Sequence, residues 1–336
     1  MTHCFDRAVE LLQAGELVAF PTETVYGLGA DAANPEAVAK IFAAKGRPAD
    51  HPLIVHLPGD AYLEQWAQDI PAKAWELAEA FWPGPLTLIL KRAPGVPHAV
   101  TGGQETVGVR VPSHPVALEL LRAFAQAGGG RKGMCGIAAP SANRFGRISP
   151  TEAAHVHQEL GEAVALVIDG GPCPVGIEST ILDLSRDDAV PRLLRPGHVT
   201  PEQIAAVIGV MPELPGRQTG SVSPRVSGAL DAHYAPLTPM RIVARDQLPR
   251  EMDEAQSLGK TCGVLAHGEG FRGATPHALC CLPDDAEGYA RGLYAALREL
   301  DQAGTDLILV EAIPQNERWA AVADRLRRSA CGSGVV

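Results

Sequence analysis

The sequence predicts an α/β protein built of two domains. Apolar runs of strand length alternate with segments of helical period through almost the whole chain, which favours α/β over all-α or all-β architecture. A chain of 336 residues is longer than a domain with a single hydrophobic core usually is. From about residue 211 to 239 the apolar periodicity stops, and Pro, Gly and Ser accumulate as in a linker. We therefore predict a larger domain over residues 1–210, a linker over 211–239 and a smaller domain over 240–336.

The individual elements follow from the same patterns. Short apolar runs bounded by turn residues predict strands in the first domain at 17–20, 53–57, 86–90, 107–111, 136–139, 165–169, 180–184 and 193–195. Apolar residues at helical spacing predict helices at 5–14, 35–44, 72–81, 116–127, 151–160 and 201–208. In the second domain, strands at 241–244, 261–265, 278–282 and 307–311 are interspersed with helices at 247–257, 286–303 and 319–329, a βαβ-type pattern.

The composition excludes several classes of protein. A hydrophobic fraction of 46% with 20% charged residues is typical of a globular protein, and the net charge of −10 argues against a general nucleic-acid coat. The sequence contains no apolar run of 18 residues, so we expect no membrane-spanning helix. The N-terminus lacks the basic and apolar regions of a signal peptide, so we expect a cytoplasmic protein.

The cysteines and histidines give no sign of a metal site. The seven cysteines form no C-x-x-C pair, which predicts reduced thiols rather than a disulfide framework or a zinc site. His155 and His157 stand two apart on a predicted helix and therefore face apart.

A dense polar segment, Pro21–Gly29, directly follows the first predicted strand. Its hydroxyls, carboxylate and glycines are typical of a site for a small polar substrate beside a polyphosphate. The continuation from Gly27 also matches the dinucleotide pattern G-x-G-x-x-A, but four polar residues separate strand and glycine where that pattern needs a direct turn. We predict instead that Gly27 and Gly29 adopt positive φ and let the backbone approach a ligand.

The segment Lys45-Gly46-Arg47-Pro48 has two interpretations. Cations, a glycine and a proline are typical of a helix C-terminus. The chain also returns at once into a strand that ends at His56, which would place the cations at a sheet edge where ligands bind. No P-loop motif is present, so a bound triphosphate would depend on scattered arginines and lysines.

A later motif suits an anionic, nucleotide-like ligand, and two further features have two interpretations each. Ala139-Pro140-Ser141-Ala142-Asn143 offers hydroxyl and amide donors, and Ser141 lacks the surroundings of a hydrolase nucleophile. Gly176–Thr180 leads from a loop into a strand, and Arg195 closes the next strand. For these last two, a purely structural role and a ligand-binding role remain equally open.

Taken together, these motifs resemble the YrdC-like family of threonylcarbamoyl-AMP synthases. They occur in the family's order over residues 17–200, as 21–29, 45–48, Trp82–Thr87, Val109–Pro112, 139–143 and 178–180. His233-Tyr234-Ala235-Pro236 and Asp324–Arg328 resemble the linker and last helix of the family's longer form. The resemblance implies a YrdC-like twisted open mixed sheet with flanking helices, plus a smaller C-terminal Rossmann-like α/β domain, with the linker covering the active site.

The resemblance also implies an activity. The family's nucleotidyltransferases condense L-threonine, bicarbonate and ATP to threonylcarbamoyl-AMP and diphosphate. Transferase partner proteins then use the adenylate to build N6-threonylcarbamoyladenosine (t6A) at position 37 of tRNA. Mg²⁺ would accompany ATP through its phosphates, without protein ligands, zinc or an organic cofactor. A weak tRNA contact fits this implied activity, and no membrane partner is expected.

Residue roles carry over position by position. Lys45 and Arg47 would be catalytic. Threonine would be bound by Thr24, His56, Arg110, Ala139 and Ser179. ATP would be bound by Arg47, His51, Thr106, Ser141, Asn143, Ser149, Arg195, His233 and Tyr234. His51 stands where the family commonly has Asn.

Two alternatives come from other activities. A non-catalytic RNA-binding module would need a basic surface, against which the net charge of −10 counts. Carbamoyl transfer, as in the YrdC-like domain of hydrogenase-maturation proteins, comes with cysteine-rich zinc segments that this sequence lacks.

Overall fold

The structure, a computed structural model, describes residues 2–186, 190–214, 223–228, 230–268 and 275–334. The chain forms two compact units. The first comprises Met1–Arg144, Pro150–Pro174 and Glu178–Ala229, and the second Phe145–Ser149, Val175–Ile177 and Leu230–Val336. Two short segments of the predicted first domain, 145–149 and 175–177, thus belong to the second unit, and the predicted linker is divided between the units.

The first unit is a mixed sheet with helices. Its strands are β1 (Val18–Pro21), β2 (Tyr26–Asp31), β3 (Ile54–His56), β4 (Leu86–Lys91), β5 (Thr106–Arg110), β6 (Ile137–Ala138), β7 (Leu166–Val167), β8 (Thr180–Asp183) and β9 (Arg192–Arg195). Its helices are α1 (Thr2–Gln13), α2 (Pro35–Lys45), α3 (Ala72–Phe81), α4 (His98–Thr101), α5 (Pro115–Gln126), α6 (Ala153–Leu160) and α7 (Pro201–Ile208). Short 3-10 turns lie at Asp60–Gln65 and Gly161–Ala163.

The strand order places the ends of distant motifs side by side. Among the described residues the sheet runs β7-β1-β2-β6-β3-β5-β4-β8-β9. Strands β3 and β5 are parallel, with His56 opposite Arg110. Strands β4 and β8 are also parallel. Because β4 is antiparallel to β5 and parallel to β8, the edge of the sheet at which β3 and β5 end is also the edge at which β4 and β8 begin.

Alternating side chains of β1 explain the layered packing. Val18 and Phe20 belong to an apolar cluster with residues of α1 and α5, whereas Leu17 and Ala19 belong to a second cluster with residues of α2, α3, α6 and α7. Successive side chains of a strand point to opposite faces. The sheet is therefore covered on both faces, which buries its strands.

The second unit contains a smaller, all-parallel sheet. Its strands are β10 (Met240–Val243), β11 (Cys262–His267), β12 (Ala278–Leu282) and β13 (Leu307–Glu311), in the order β10-β13-β11-β12 among the described residues. Its helices are α8 (Leu248–Ser257), α9 (Ala286–Gln302) and α10 (Ala320–Gly332), with a 3-10 turn at Glu317–Trp319. Residues of α8 form an apolar core with β11 and β13.

The predicted α/β class and every predicted helix and strand are confirmed, with ends shifted by a few residues. The predicted conformation of Gly27 and Gly29 is wrong. Both lie in β2, which pairs antiparallel with β1, and neither has positive φ. Their lack of a side chain has a packing reason: a Cβ on Gly29 would lie 2.7 Å from Phe20 Cε1, and one on Gly27 3.0 Å from Ala139 Cβ.

A membrane-spanning segment was not found among the described helices, none of which combines the required length and apolarity.

Candidate functional site

Arg110, at the end of β5, is a firmly held cation of the first unit. Its side chain is buried; Nε donates to the carbonyl oxygen of Gly84 (3.1 Å) and Nη1 donates to Thr24 Oγ1 (3.0 Å). Its Nη2 lies 2.6 Å from Glu23 Oε1 in a buried ion pair. A guanidinium carries five N–H groups; Nε and Nη1 each use one in these hydrogen bonds, and Nη2 makes no hydrogen bond with a described residue, so donors remain on both Nη atoms. The side chain is oriented before a ligand arrives and retains donors for a planar anion.

The turn between β1 and β2 places Glu23 and Thr24 against Arg110. Thr22 Oγ1 donates to the carbonyl oxygen of Val25 (2.6 Å) and accepts from the backbone N–H groups of Thr24 and Val25 (3.2 Å each). The two threonine hydroxyls are 2.8 Å apart. Such local side-chain contacts replace backbone pairing in a turn. The residues from Thr22 to Thr24 are all buried, so this turn is an internal feature.

His56 lies beside Arg110 as a buried, neutral imidazole. Burial, followed by the neighbouring Arg110 charge, lowers the pKa of His56 to about 3. The ring is therefore uncharged at neutral pH, and a neutral imidazole can hydrogen-bond a polar, uncharged atom.

Ser179 and Arg195 form a second buried pair, where β8 begins and β9 ends. Arg195 donates from Nε to the carbonyl oxygen of Ser179 (3.0 Å) and from Nη2 to its hydroxyl (3.1 Å). The Ser179 hydroxyl is also 2.8 Å from Thr87 Oγ1 of β4. The segment 176–180 can have both a structural role and a binding role, because the same contacts hold the start of β8 in place and orient the Ser179 hydroxyl.

Lys45 connects the segment 45–48 with the segment 139–143. It is the last residue of α2, which Gly46 ends in the left-handed conformation (φ 61°). Lys45 Nζ donates to the carbonyl oxygens of Ser141 and Asn143, at 2.5 Å each. Burial and the nearby Arg47 charge hold the pKa of Lys45 well below its usual range. The helix-end interpretation of the segment 45–48 is thus confirmed, and the same segment buries two cations whose role towards a ligand stays a prediction.

Arg47 contacts a part of the chain far away in sequence. Its Nη2 donates to the carbonyl oxygen of Pro52 (2.9 Å) and to Ser227 Oγ (3.1 Å). The Ser227 carbonyl oxygen accepts from Arg195 Nη1 (2.9 Å), so one serine bridges two predicted ATP-binding arginines. Burial, the Arg47 charge and, to a smaller extent, the charge of Arg225 lower the pKa of His51, although Asp50 opposes them.

The segment Ser223–Gly228, here called the strap, lies on the first unit. Arg225 exchanges backbone hydrogen bonds with the Gln104 side chain (2.7 and 3.0 Å) and pairs with Asp50 (3.0 Å). Val226 packs in an apolar cluster with Ile89 and Ile181. Under the strap is a narrow cleft with room for about one water molecule. Its lining includes Ile54, Thr106, Gly108 and Ser227.

The other predicted site residues divide between the units. Ala139 is buried in the first unit, where its N–H donates to the carbonyl oxygen of Ile54 (3.1 Å). Ser149, His233 and Tyr234 belong to the second unit and are buried there.

Within the second unit, the pair His233–Tyr234 is enclosed by aromatic and cationic groups. The His233 ring lies 6.0 Å from the ring of Phe145, and the Tyr234 ring lies 5.8 Å from that of Tyr294. The Arg325 guanidinium stands 5.4 Å from the Tyr234 ring centroid. Tyr234 has φ 60°, a strained conformation for a residue other than glycine.

Sequence reasoning missed three residues of this arrangement. Glu23 stands inside the first motif, and its proximity to Arg110 depends on the pairing of strands distant in sequence. Thr87 likewise reaches Ser179 only through the β4–β8 pairing. Ser227 gives no sequence signal, because its partners are 32 and 180 residues away.

Two family models together match nearly the whole chain. One, described as telomere recombination, matches residues 10–197, and the other, described as the C-terminal domain of threonylcarbamoyl-AMP synthase, matches residues 199–331. The chain is 43% identical to a threonylcarbamoyl-AMP synthase of Bacillus subtilis (strain 168), with 97% of this chain and 92% of that protein covered. It is 41% identical to the synthase of Pyrococcus abyssi, with 96% and 92% covered.

A solved structure extends this similarity to three dimensions. The crystal structure of P. abyssi Sua5 complexed with L-threonine superimposes with a TM-score of 0.88 at 39% identity, covering 98% of this chain and 94% of that one. A doubly substituted variant of the same protein gives a TM-score of 0.87 at 38% identity, with 98% and 93% covered.

Proposed function

The chain belongs to the threonylcarbamoyl-AMP synthase family, and from this membership we propose that it condenses L-threonine, bicarbonate and ATP to threonylcarbamoyl-AMP and diphosphate. The observation that carries the proposal is the buried cluster of the first unit. In this cluster a pre-oriented Arg110 and a neutral His56 would bind an amino acid, and Lys45, Arg47 and Arg195 would bind polyphosphate.

Threonine would be held by both of its polar ends. Its carboxylate would accept from N–H groups of the two Nη atoms of Arg110, beside the Thr24 hydroxyl. Its side-chain hydroxyl would lie between the neutral imidazole of His56 and the hydroxyl of Ser179. A site that satisfies a substrate hydroxyl discriminates against analogues lacking it, because its own polar groups would then be left unpaired.

The reaction needs no protein nucleophile. The deprotonated threonine amine bonds to the carbon of bicarbonate, and water leaves, which gives a carbamate. A carbamate oxygen then attacks the α-phosphorus, the bond from that phosphorus to the bridging oxygen breaks, and diphosphate leaves. The protein would supply orientation and neutralise charge through Lys45, Arg47 and Arg195. Mg²⁺, bound to the triphosphate oxygens, would neutralise further charge on the leaving diphosphate.

The nucleobase would lie beside Thr106, where the cleft under the strap has room for about one water molecule and must widen as the strap moves. The cleft's apolar wall of Ile54, Ile89 and Ile181 suits a flat ring, and the Thr106 hydroxyl offers a polar contact. The product is a mixed anhydride that a transferase partner would use to modify tRNA. We place the reaction in the cytoplasm, where ATP and tRNA are available.

Diphosphate exchange into ATP tests the proposal. Labelled diphosphate should enter ATP only when threonine and bicarbonate are both present, and mass spectrometry should identify threonylcarbamoyl-AMP. Exchange that is unaffected by omitting either substrate would contradict the proposed reaction. Binding of tRNA without any exchange would favour the RNA-binding alternative.

The strap should respond to substrate. A triphosphate needs Arg47 and Arg195, which in this structure are bonded to Ser227, so binding must rearrange the strap. Trypsin cleavage after the exposed Arg225 should therefore slow several-fold when ATP and threonine are added together. The Arg225→Gln variant cannot be cut at this position, so the fragment that it fails to produce is the one cleaved after Arg225. Equal cleavage rates with and without substrates would show that the strap is a passive tether.

Burial of neutral His56 should make the fold sensitive to acid. In the unfolded chain a histidine binds a proton near pH 6.5, whereas the pKa of His56 in the fold is about 3. Between these values only the unfolded state binds the proton, so stability falls as the pH decreases from 6.5 towards 3. Urea unfolding at several pH values should show a smaller pH dependence for His56→Asn than for the original protein. Equal slopes would mean that His56 is charged in the fold.

A further inference from the structure

One face of α9 contacts three segments that carry or adjoin predicted substrate-binding residues. Residues at positions 291, 294, 298 and 301 recur at intervals of three and four, so they lie along one side of the helix. All the contacts described below lie within the second unit.

The first two contacts involve the segment 145–149, which ends at Ser149. Arg298 donates to the carbonyl oxygen of Ile148, and Arg147 donates from Nη2 to Asp301 Oδ2 (3.0 Å). Ser149 itself is fully buried. The helix thus binds both the backbone and a side chain of the segment that presents this predicted ATP residue.

Asp301 also binds the segment that follows His233 and Tyr234. Its Oδ2 accepts from the backbone N–H of Leu237 (2.9 Å), and its Oδ1 from that of Thr238 (2.7 Å). The Tyr294 ring lies against that of Tyr234 at 5.8 Å. One partly buried carboxylate therefore joins the segment of Ser149 to the segment of the predicted nucleotide residues His233 and Tyr234.

The third segment that contacts α9 is 175–177, which leads to Ser179. Gly176 has φ 82°, and a Cβ on it would lie 2.5 Å from Arg291 Cα and 2.6 Å from the carbonyl oxygen of Ala290. The backbone of this segment therefore packs directly on the backbone of α9, at a distance that only glycine permits.

We propose that this face of α9 is a positioning platform for the predicted ATP-binding residues of the second unit, with Asp301 as its positioning residue. The inference rests on the proposed function and gives the second unit a role in it: the unit sets the geometry of Ser149, His233 and Tyr234. Asp301 acts through these segments and touches no substrate. Its loss should therefore weaken ATP use while leaving threonine use unchanged.

The test compares Asp301→Asn with Glu299→Gln, an exposed acidic position on the same helix. Asparagine keeps the size of Asp301 but removes the charge that pairs with Arg147. Its NH2 group would also face the N–H groups that Asp301 now accepts from, and two donors cannot hydrogen-bond each other. We expect the KM for ATP to rise about tenfold in Asp301→Asn, with the KM for threonine within twofold and the melting temperature close to that of Glu299→Gln. Asp301→Glu, which keeps the charge, should recover part of the ATP affinity.

A second variant covers the case in which Asp301→Asn does not fold. Arg147→Met removes one partner at a less buried position and should also raise the KM for ATP. In the double variant the two effects should not add, because both remove the same contact. The proposal would be overturned if the folded variants kept an unchanged KM for ATP. It would also be overturned if kcat fell while the KM values for ATP and threonine both stayed the same. Failure of the unchanged protein to form threonylcarbamoyl-AMP would instead overturn the proposed function.

Discussion

Replacing Arg47 with alanine should abolish measurable threonylcarbamoyl-AMP formation while the protein stays folded. Arg47 is a buried cation with its guanidinium between Pro52 and Ser227, and a P-loop that could replace it is absent from the sequence. Loss of a charge-assisted contact costs about 1.5–3 kcal/mol of binding. Contacts that strengthen in the transition state are worth about 10²–10³ in rate. Diphosphate exchange should therefore fall at least a hundredfold.

Lys45→Ala should have a comparable effect for a different reason. Lys45 Nζ holds the carbonyl oxygens of Ser141 and Asn143, so its loss releases the loop that presents these side chains. Lys40→Ala is a matched control, because Lys40 lies on the same helix and its ammonium reaches the solvent-accessible Glu16. Near-normal exchange by both Arg47→Ala and Lys45→Ala would contradict the assignment of the phosphate site.

The sequence was sufficient for features that depend on local patterns. The end of α2 at Lys45 followed from a glycine and a proline beside the cations, and the structure shows the expected left-handed Gly46. The strands that carry His56 and Arg110 near their ends followed from apolar runs closed by polar residues, whereas their parallel pairing did not. These signals lie within a few residues of each other, where propensity and periodicity are informative.

Features that depend on distant pairing could not be predicted in this way. The segment from Tyr26 became a strand because β1 and β6 pair with it, and this requirement for close packing explains Gly27 and Gly29 better than backbone freedom does. The bridge of Ser227 between Arg47 and Arg195 likewise arises only when the strap folds onto the first unit.

The division of the chain into units shows the same limit. The composition change after residue 210 suggested a boundary there, yet segments 145–149 and 175–177 belong to the second unit. Their membership depends on contacts with α9, such as the ion pair of Arg147 with Asp301. A sequence pattern reports where a segment begins and ends, and contacts of this kind become visible only in the folded chain.

Replacing Arg110 should damage threonine use far more than ATP use. After its hydrogen bonds with Gly84 and Thr24, Arg110 keeps N–H groups on both Nη atoms, and one from each matches the two oxygens of an α-carboxylate. Lysine retains the charge but offers no parallel pair of donors. We therefore expect Arg110→Lys to raise the KM for threonine about tenfold to a hundredfold, with the KM for ATP within about twofold.

The Glu23→Gln variant tests how much of the effect of Arg110 depends on its orientation rather than on its charge. The Glu23 carboxylate lies 2.6 Å from Arg110 Nη2 in a pair that is buried on both sides, and its replacement by an amide keeps the shape of the side chain while weakening the anchor. The KM for threonine should then rise less than in Arg110→Lys, and the double variant should resemble Arg110→Lys alone, because the anchor has no role once the guanidinium is gone. Steady-state kinetics with each substrate varied in turn measure all four proteins. If Arg110→Lys raises the KM for ATP and leaves that for threonine unchanged, Arg110 binds the nucleotide, and the hydroxyls of Thr24 and Ser179 must be reassigned with it.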